Sequence, residues 1–149
     1  MGRAARARYP EAWDVSRPCI GPISYSTEDL EVAKEMKGLI EGLQASAFLA
    51  DMSIDPGRVW SEEIRLALQS SEAALIILTP NSLKSAWVMA EAGALWVLDI
   101  PFVPALMFVE RRLLPELISR RQDRDITTSA SRVTCAEAVV ALLRPLHRK

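Results

Sequence analysis

The sequence predicts an α/β fold: a flavodoxin-like three-layer sandwich around a central parallel five-stranded sheet in the order 2-1-3-4-5. Three observations predict it. Strand-like apolar runs alternate with segments of helical periodicity along the chain, which is the signature of βαβ units. One run, Ala73-Ala74-Leu75-Ile76-Ile77-Leu78-Thr79, is apolar almost throughout, as a strand covered on both faces has to be. The 149 residues are 50% hydrophobic and 25% charged, the size and composition of one globular domain. Right-handed crossovers leave few strand orders for such a chain.

Residues 1–17 carry no periodic pattern and read as an N-terminal arm, with the domain over 18–149. Cys19 to Tyr25 reads as the first strand, with Pro22 unable to donate a ladder hydrogen bond. Ser26-Thr27-Glu28-Asp29 is a helix-start signal, and Leu30, Ala33, Met36, Ile40 and Leu43 recur at helical spacing. Ser46 to Ala50 is a short second strand. Asp51 to Gly57 is a loop with the turn pair Pro56-Gly57, and Trp60 to Gln69 a helix with Ile64, Ala67 and Leu68 inward. After the third strand, Pro80-Asn81-Ser82 breaks the run and Ser85 to Leu98 forms a helix in which Trp96 reads as core. Ile100 to Phe108 is the fourth strand, Arg111 to Arg121 a helix interrupted at Pro115, and Arg124 to Thr128 the last strand. Thr134-Cys135-Ala136-Glu137 reads as a capping box that opens a final helix with Val139, Val140, Leu143 and Leu146 on its apolar side.

Composition excludes several classes. A net charge of −1 gives no nucleic-acid footprint. Cys19 and Cys135 match no metal or redox spacing and read as free thiols. The N-terminus has arginines but no apolar core, so it is not a secretory signal. The apolar stretch Ala86 to Val109 contains Glu91, Asp99, Pro101 and Pro104, so it reads as helix and strand and not as a membrane span. His147 is the one histidine, near the chain end, which leaves no metal-His or Ser-His-Asp site. Neither a GxGxxG nor a GxxxxGK[ST] loop is present, so dinucleotide dehydrogenase and P-loop readings have no motif. The basic pairs Arg111-Arg112 and Arg120-Arg121 read as solvated surface.

In the predicted strand order the crevice opens between the first and third strands at their carboxyl ends, beside Ser24-Tyr25-Ser26-Thr27 and Pro80-Asn81-Ser82. Glu91 is the one charged side chain from Ser85 to Leu98, in a helix that starts beside this crevice. A carboxylate there is expensive if it faces the core without a partner. Trp87 lies four residues earlier on the same helical face, so an aromatic plane and a carboxylate share one side. The bland alternative is a Glu91 that pairs with an arginine at the core edge or emerges at the surface.

These residues resemble a known family. Ile23-Ser24-Tyr25-Ser26 resembles the first box of Toll/interleukin-1-receptor (TIR) domains. Phe48-Leu49-Ala50-Asp51, a loop, and Gly57-Arg58-Val59-Trp60 resemble their second strand and BB loop. Ser85-Ala86-Trp87-Val88-Met89-Ala90-Glu91 resembles their S-x-W-x-x-x-E segment, and Ile100-Pro101-Phe102-Val103-Pro104 the strand after it. The resemblance covers residues 19–146, and the Glu-Ala-Gly-Ala-Leu-Trp run is closest to bacterial members. Pro22 departs from the pattern, where an aliphatic residue is usual.

The resemblance implies an NAD glycohydrolase that cleaves the nicotinamide–ribose bond, releasing nicotinamide and ADP-ribose or a cyclic isomer. NAD is then substrate, with no further cofactor and no metal. By the same resemblance Glu91 is the catalytic residue, and Trp87, Ser24, Tyr25, Asp51 and Trp60 bind the substrate. The implied setting is the cytoplasm and anti-phage defence, with activation by self-assembly into an oligomer or filament through TIR–TIR contacts. A separate or fused sensor domain is implied as partner, with no direct nucleic-acid or membrane contact. The other readings are a non-catalytic assembly module docking through the 51–58 loop, and a nucleoside deoxyribosyltransferase, which also uses a glutamate.

Overall fold

The computed structural model describes residues 18–49 and 71–143. The expected arm at 1–17, the BB-like loop, the helix at 60–69 and Leu146 lie outside the described residues. Elements are numbered here in chain order among those that are described.

Five strands form one parallel sheet in the order β2-β1-β3-β4-β5, as the alternation predicted. They are β1 (Cys19–Ser24), β2 (Ser46–Leu49), β3 (Ala73–Leu78), β4 (Phe102–Leu106) and β5 (Arg124–Asp125). The apolar run of β3 makes it the centre. Ala73, Leu75 and Ile77 enter one core cluster and Ala74, Ile76 and Leu78 the other, as the two-residue period of a strand requires. Around Pro22, which has no N–H to donate, the register of β1 against both neighbours shifts between Ile20 and Ile23.

On one face, helices α1 (Leu30–Gly42) and α4 (Ser129–Ala141) cover the sheet. Val32, Ala33, Met36 and Ile40 of α1 meet Cys135, Ala136, Val139 and Val140 of α4 there. The other face carries α2 (Ala86–Val97) and the short α3 (Glu116–Ser119), through Val88, Ala92, Leu95 and Ile118. Helix α2 ends in a Schellman turn. Asp99 adopts a φ of 56°, Ile100 N–H donates to Leu95 C=O at 2.9 Å and Asp99 N–H to Trp96 C=O at 3.1 Å. This turn delivers the chain into β4.

Four expectations are corrected. Trp96 is not core: it is 56% exposed in the last turn of α2, beside the exposed Val97 and Leu98. The final helix does not open at Thr134. It opens at Ser129 behind Thr128, whose hydroxyl accepts from Ser131 N–H while the Ser131 hydroxyl accepts from Thr128 N–H, each at 3.0 Å. Thr134 is interior and its hydroxyl donates to Ala130 C=O. The last strand stops at Asp125, because the Asp125 carboxylate takes Thr127 N–H and Thr128 is already the cap. Finally, Arg121 of the basic cluster is half-buried, with its guanidinium 4.9 Å from the ring centre of the buried Phe102.

Candidate functional site

Strand order reverses between β1 and β3, so their carboxyl ends part and leave a crevice, the place where open α/β sheets bind ligands. Its walls are the segment after β1, Tyr25 to Asp29, and the segment after β3, Thr79 to Ser85. Residues Thr27–Asp29 form a 3₁₀ turn ahead of α1. The helix-start signal read from the sequence is therefore used differently: neither Ser26 nor Asp29 caps with its side chain. The Ser26 and Thr27 hydroxyls bond Glu28 Oε2 instead.

Asp29 is freed to reach across the crevice. It is 7% exposed, its Oδ2 accepts from the Thr79 hydroxyl at 2.6 Å, and its Oδ1 accepts from Asn81 Nδ2 at 3.3 Å. The Thr79 oxygen in turn accepts from Asn81 N–H at 3.1 Å and Ser82 N–H at 3.2 Å, and Ser82 Oγ accepts from Thr79 N–H at 2.6 Å. A buried carboxylate so bonded ties the two loops into one unit. Above it lies a cleft of about 450 Å³ lined by Ser26, Thr27, Glu28, Asn81, Lys84 and Ser85. The Ser26 hydroxyl, donating to Glu28, holds that carboxyl below the usual carboxylate range.

Helix α2 starts at the same loop. Ser85 caps it by accepting from Val88 N–H at 3.2 Å. Glu91 sits three residues after Val88 and four before Leu95, both fully buried, and is itself 4% exposed. It therefore belongs to the inward stripe of the helix and not to the surface. Ser24, fully buried at the end of β1, pairs in register with Ile76, whose side chain lies in the α2-side cluster. Side chains in register share a face, so Ser24 and Glu91 are on the same side of the sheet. Ser24 Oγ has no hydrogen-bond partner among the described residues.

The structure thus brings Ser24 and Glu91 to one face. It places Tyr25 on the other: Tyr25 is 6% exposed and packs in the α1–α4 cluster with Val32 and Met36. Trp87 lies in the first turn of α2, and its side chain is outside the described atoms, as are Asp51 and Trp60 altogether. Asp29 and Thr79 were missed as site residues. Thr79 closes an otherwise aliphatic strand three residues before Ser82, and that was the available signal.

A larger cleft of about 670 Å³ lies on the α1–α4 side, lined by acidic residues of α1 and of the turn before it, together with Lys34, Met107 and Arg132. Arg132 spans it as a strut, donating to Ile126 C=O and Glu35 Oε1, both at 2.8 Å. Among the described residues no group of three or more His, Cys, Asp or Glu side chains is placed to hold a metal ion. Among them, no helix is long and apolar enough to cross a membrane.

Comparison with known proteins gives the same fold. A family model described as "TIR domain" matches residues 22–142. No curated protein sequence matches the chain. A metazoan TIR-STING receptor from C. gigas, solved in complex with 2',3'-cGAMP, superposes with a TM-score of 0.62 at 17% identity. The match covers 85% of this chain and 39% of that one, so the chain spans about two fifths of that receptor. The TIR domains of the activated Roq1 resistosome, which directly recognises the pathogen effector XopQ, superpose at 0.61 with 13% identity over 84% of this chain and 98% of theirs. A 2-deoxyribosyltransferase from the bacterium Bacillus psychrosaccharolyticus reaches 0.55 with 13% identity, over 72% of this chain and 83% of its own. At these identities the structures share the fold alone.

Proposed function

Because the chain belongs to the TIR-domain family, we propose that it is an NAD glycohydrolase with Glu91 as its catalytic residue. One observation carries the reading: a carboxylate 4% exposed on the inward stripe of α2, on the same face of the sheet as Ser24 and in the helix that springs from the crevice. A buried charge is costly and tends to be kept where chemistry uses it.

The chemistry suits one carboxylate. The bond between nicotinamide nitrogen and ribose C1′ breaks with its electron pair going to the nitrogen, so a cationic ring leaves as a neutral molecule and needs no acid. Positive charge develops on the ribose as in glycoside hydrolysis. Glu91 stabilises that charge or holds the ribose hydroxyls. Water then adds to C1′ and loses a proton to solvent, giving ADP-ribose; attack by an adenine nitrogen gives a cyclic isomer. Ser24 supplies a hydroxyl on the same face, and Trp87 a flat surface for the leaving ring. The proposed setting is cytoplasmic anti-phage defence, with TIR–TIR assembly completing the site under control of a separate or fused sensor.

Incubation with NAD at high protein concentration, followed by chromatography of nicotinamide and its co-product, tests this against Glu91→Ala. Release by the wild type and none by the variant supports the reading. No release from a folded, self-associating wild type favours the assembly module. Base exchange on deoxynucleosides with NAD untouched favours a deoxyribosyltransferase.

A further inference from the structure

Among the described residues, Lys84 is the one basic side chain lining the 450 Å³ cleft at the switch point, and Glu28 the one acidic side chain. They do not neutralise each other among the described residues. The Glu28 carboxylate is engaged by the Ser26 and Thr27 hydroxyls of its own turn, which keep it in its ionised, acceptor-only form. Lys84 is exposed at the end of its 3₁₀ turn with no carboxylate bonded to it. The floor between them is firm, since Asn81 is held by Asp29 and Thr79. A cleft offering a free ammonium, a fixed carboxylate and several hydroxyls complements a ligand that carries both a phosphate and sugar hydroxyls. A carboxylate is a ready acceptor for ribose hydroxyls and an ammonium a compact phosphate binder.

We propose that this cleft seats the ribose-diphosphate part of the substrate, with Lys84 pairing a phosphate oxygen and Glu28 accepting from a ribose hydroxyl. For the identity of the ligand this rests on the NAD-cleaving reading. Lys84 is then the residue that distinguishes a phosphorylated nucleotide from a bare nucleoside. It ends the 3₁₀ turn that leads through Ser85 into the α2 that carries Glu91, so one continuous segment presents both the anchor for the diphosphate and the carboxylate for the reacting ribose.

The test is direct binding, which needs no turnover. ADP-ribose and, separately, adenosine are titrated into the isotopically labelled full chain while amide resonances are followed, for the wild type, Lys84→Glu and Lys84→Arg. Lys84 is exposed, so both variants keep the fold. The proposal expects ADP-ribose to shift Thr27, Asn81 and Lys84, to bind Lys84→Glu at least about tenfold more weakly, and to recover with Lys84→Arg. Adenosine binding stays unchanged across the three. Equal ADP-ribose affinity for wild type and Lys84→Glu, shifts centred away from this cleft, or no ADP-ribose binding by the wild type each overturns it. Lys84-dependent binding without any nicotinamide release refutes the NAD-cleaving reading alone. Release with Lys84-independent binding refutes this proposal alone.

Discussion

Glu91 and Cys135 are both buried ionisable residues, and the proposed function assigns chemistry to the first and packing to the second. Glu91 was legible because a single carboxylate interrupts a helix of small and apolar residues, Met89-Ala90 before it and Ala92-Gly93-Ala94-Leu95 after it. Its burial then follows from spacing, three and four residues from Val88 and Leu95. Asp29 was not legible, because its meaning lies in Thr79, 50 residues away, and no local pattern encodes that meeting. Cys135 is fully buried against α1, and desolvation pushes its thiol up from 9.0 to about 12. An acid whose folded pKa is raised contributes stability in full below its unfolded value and loses it as pH rises. Stability is therefore expected to fall between pH 9 and 12, because only the unfolded chain ionises there. Denaturant titrations from pH 7 to 10 check this, with a shallower decline expected for Cys135→Ala.

At the scale of elements, the described helices and strands were read correctly where an apolar face marks them, and misread where short polar contacts decide. The run of β3 and the stripe of α1 needed no tertiary information. The start of α4 did: its capping box uses Ser131 in place of the more usual glutamate, so Thr134 with Glu137 looked the better match. Thr128→Ala is expected to cost about 1 kcal/mol, and Thr134→Ala much less, by thermal or urea unfolding. The Asp29 brace between the two crevice loops gives a second expectation. Asp29→Ala strands the Thr79 hydroxyl and the Asn81 amide, and costs about 2 kcal/mol in the same assay. It is also expected to lower NAD cleavage, because the β3–α2 loop loses the contact that fixes it to the β1 side.

For the whole molecule, alternation of elements was enough to give the strand order, since handedness and compactness leave few alternatives. The topology alone then located the crevice. The outer surface was less legible. Helix α2 is apolar nearly all round, so the sequence could not separate its inward stripe from Trp96, Val97 and Leu98, which the structure leaves exposed. If assembly completes the site, nicotinamide release per molecule rises with protein concentration and falls on dilution. Initial rates over a hundredfold concentration range check this, and a strictly constant specific activity removes the assembly part of the account.

The central claim is that the buried Glu91 carboxylate acts at the reacting ribose, and Glu91→Gln tests it most directly because glutamine keeps the shape and removes the charge. Nicotinamide release from NAD is followed for both proteins at the same high concentration, with folding verified by the unfolding transition. The account predicts that the variant folds, still binds ADP-ribose, and loses at least about a hundredfold in rate. A Glu91→Gln protein that releases nicotinamide at close to the wild-type rate would contradict it.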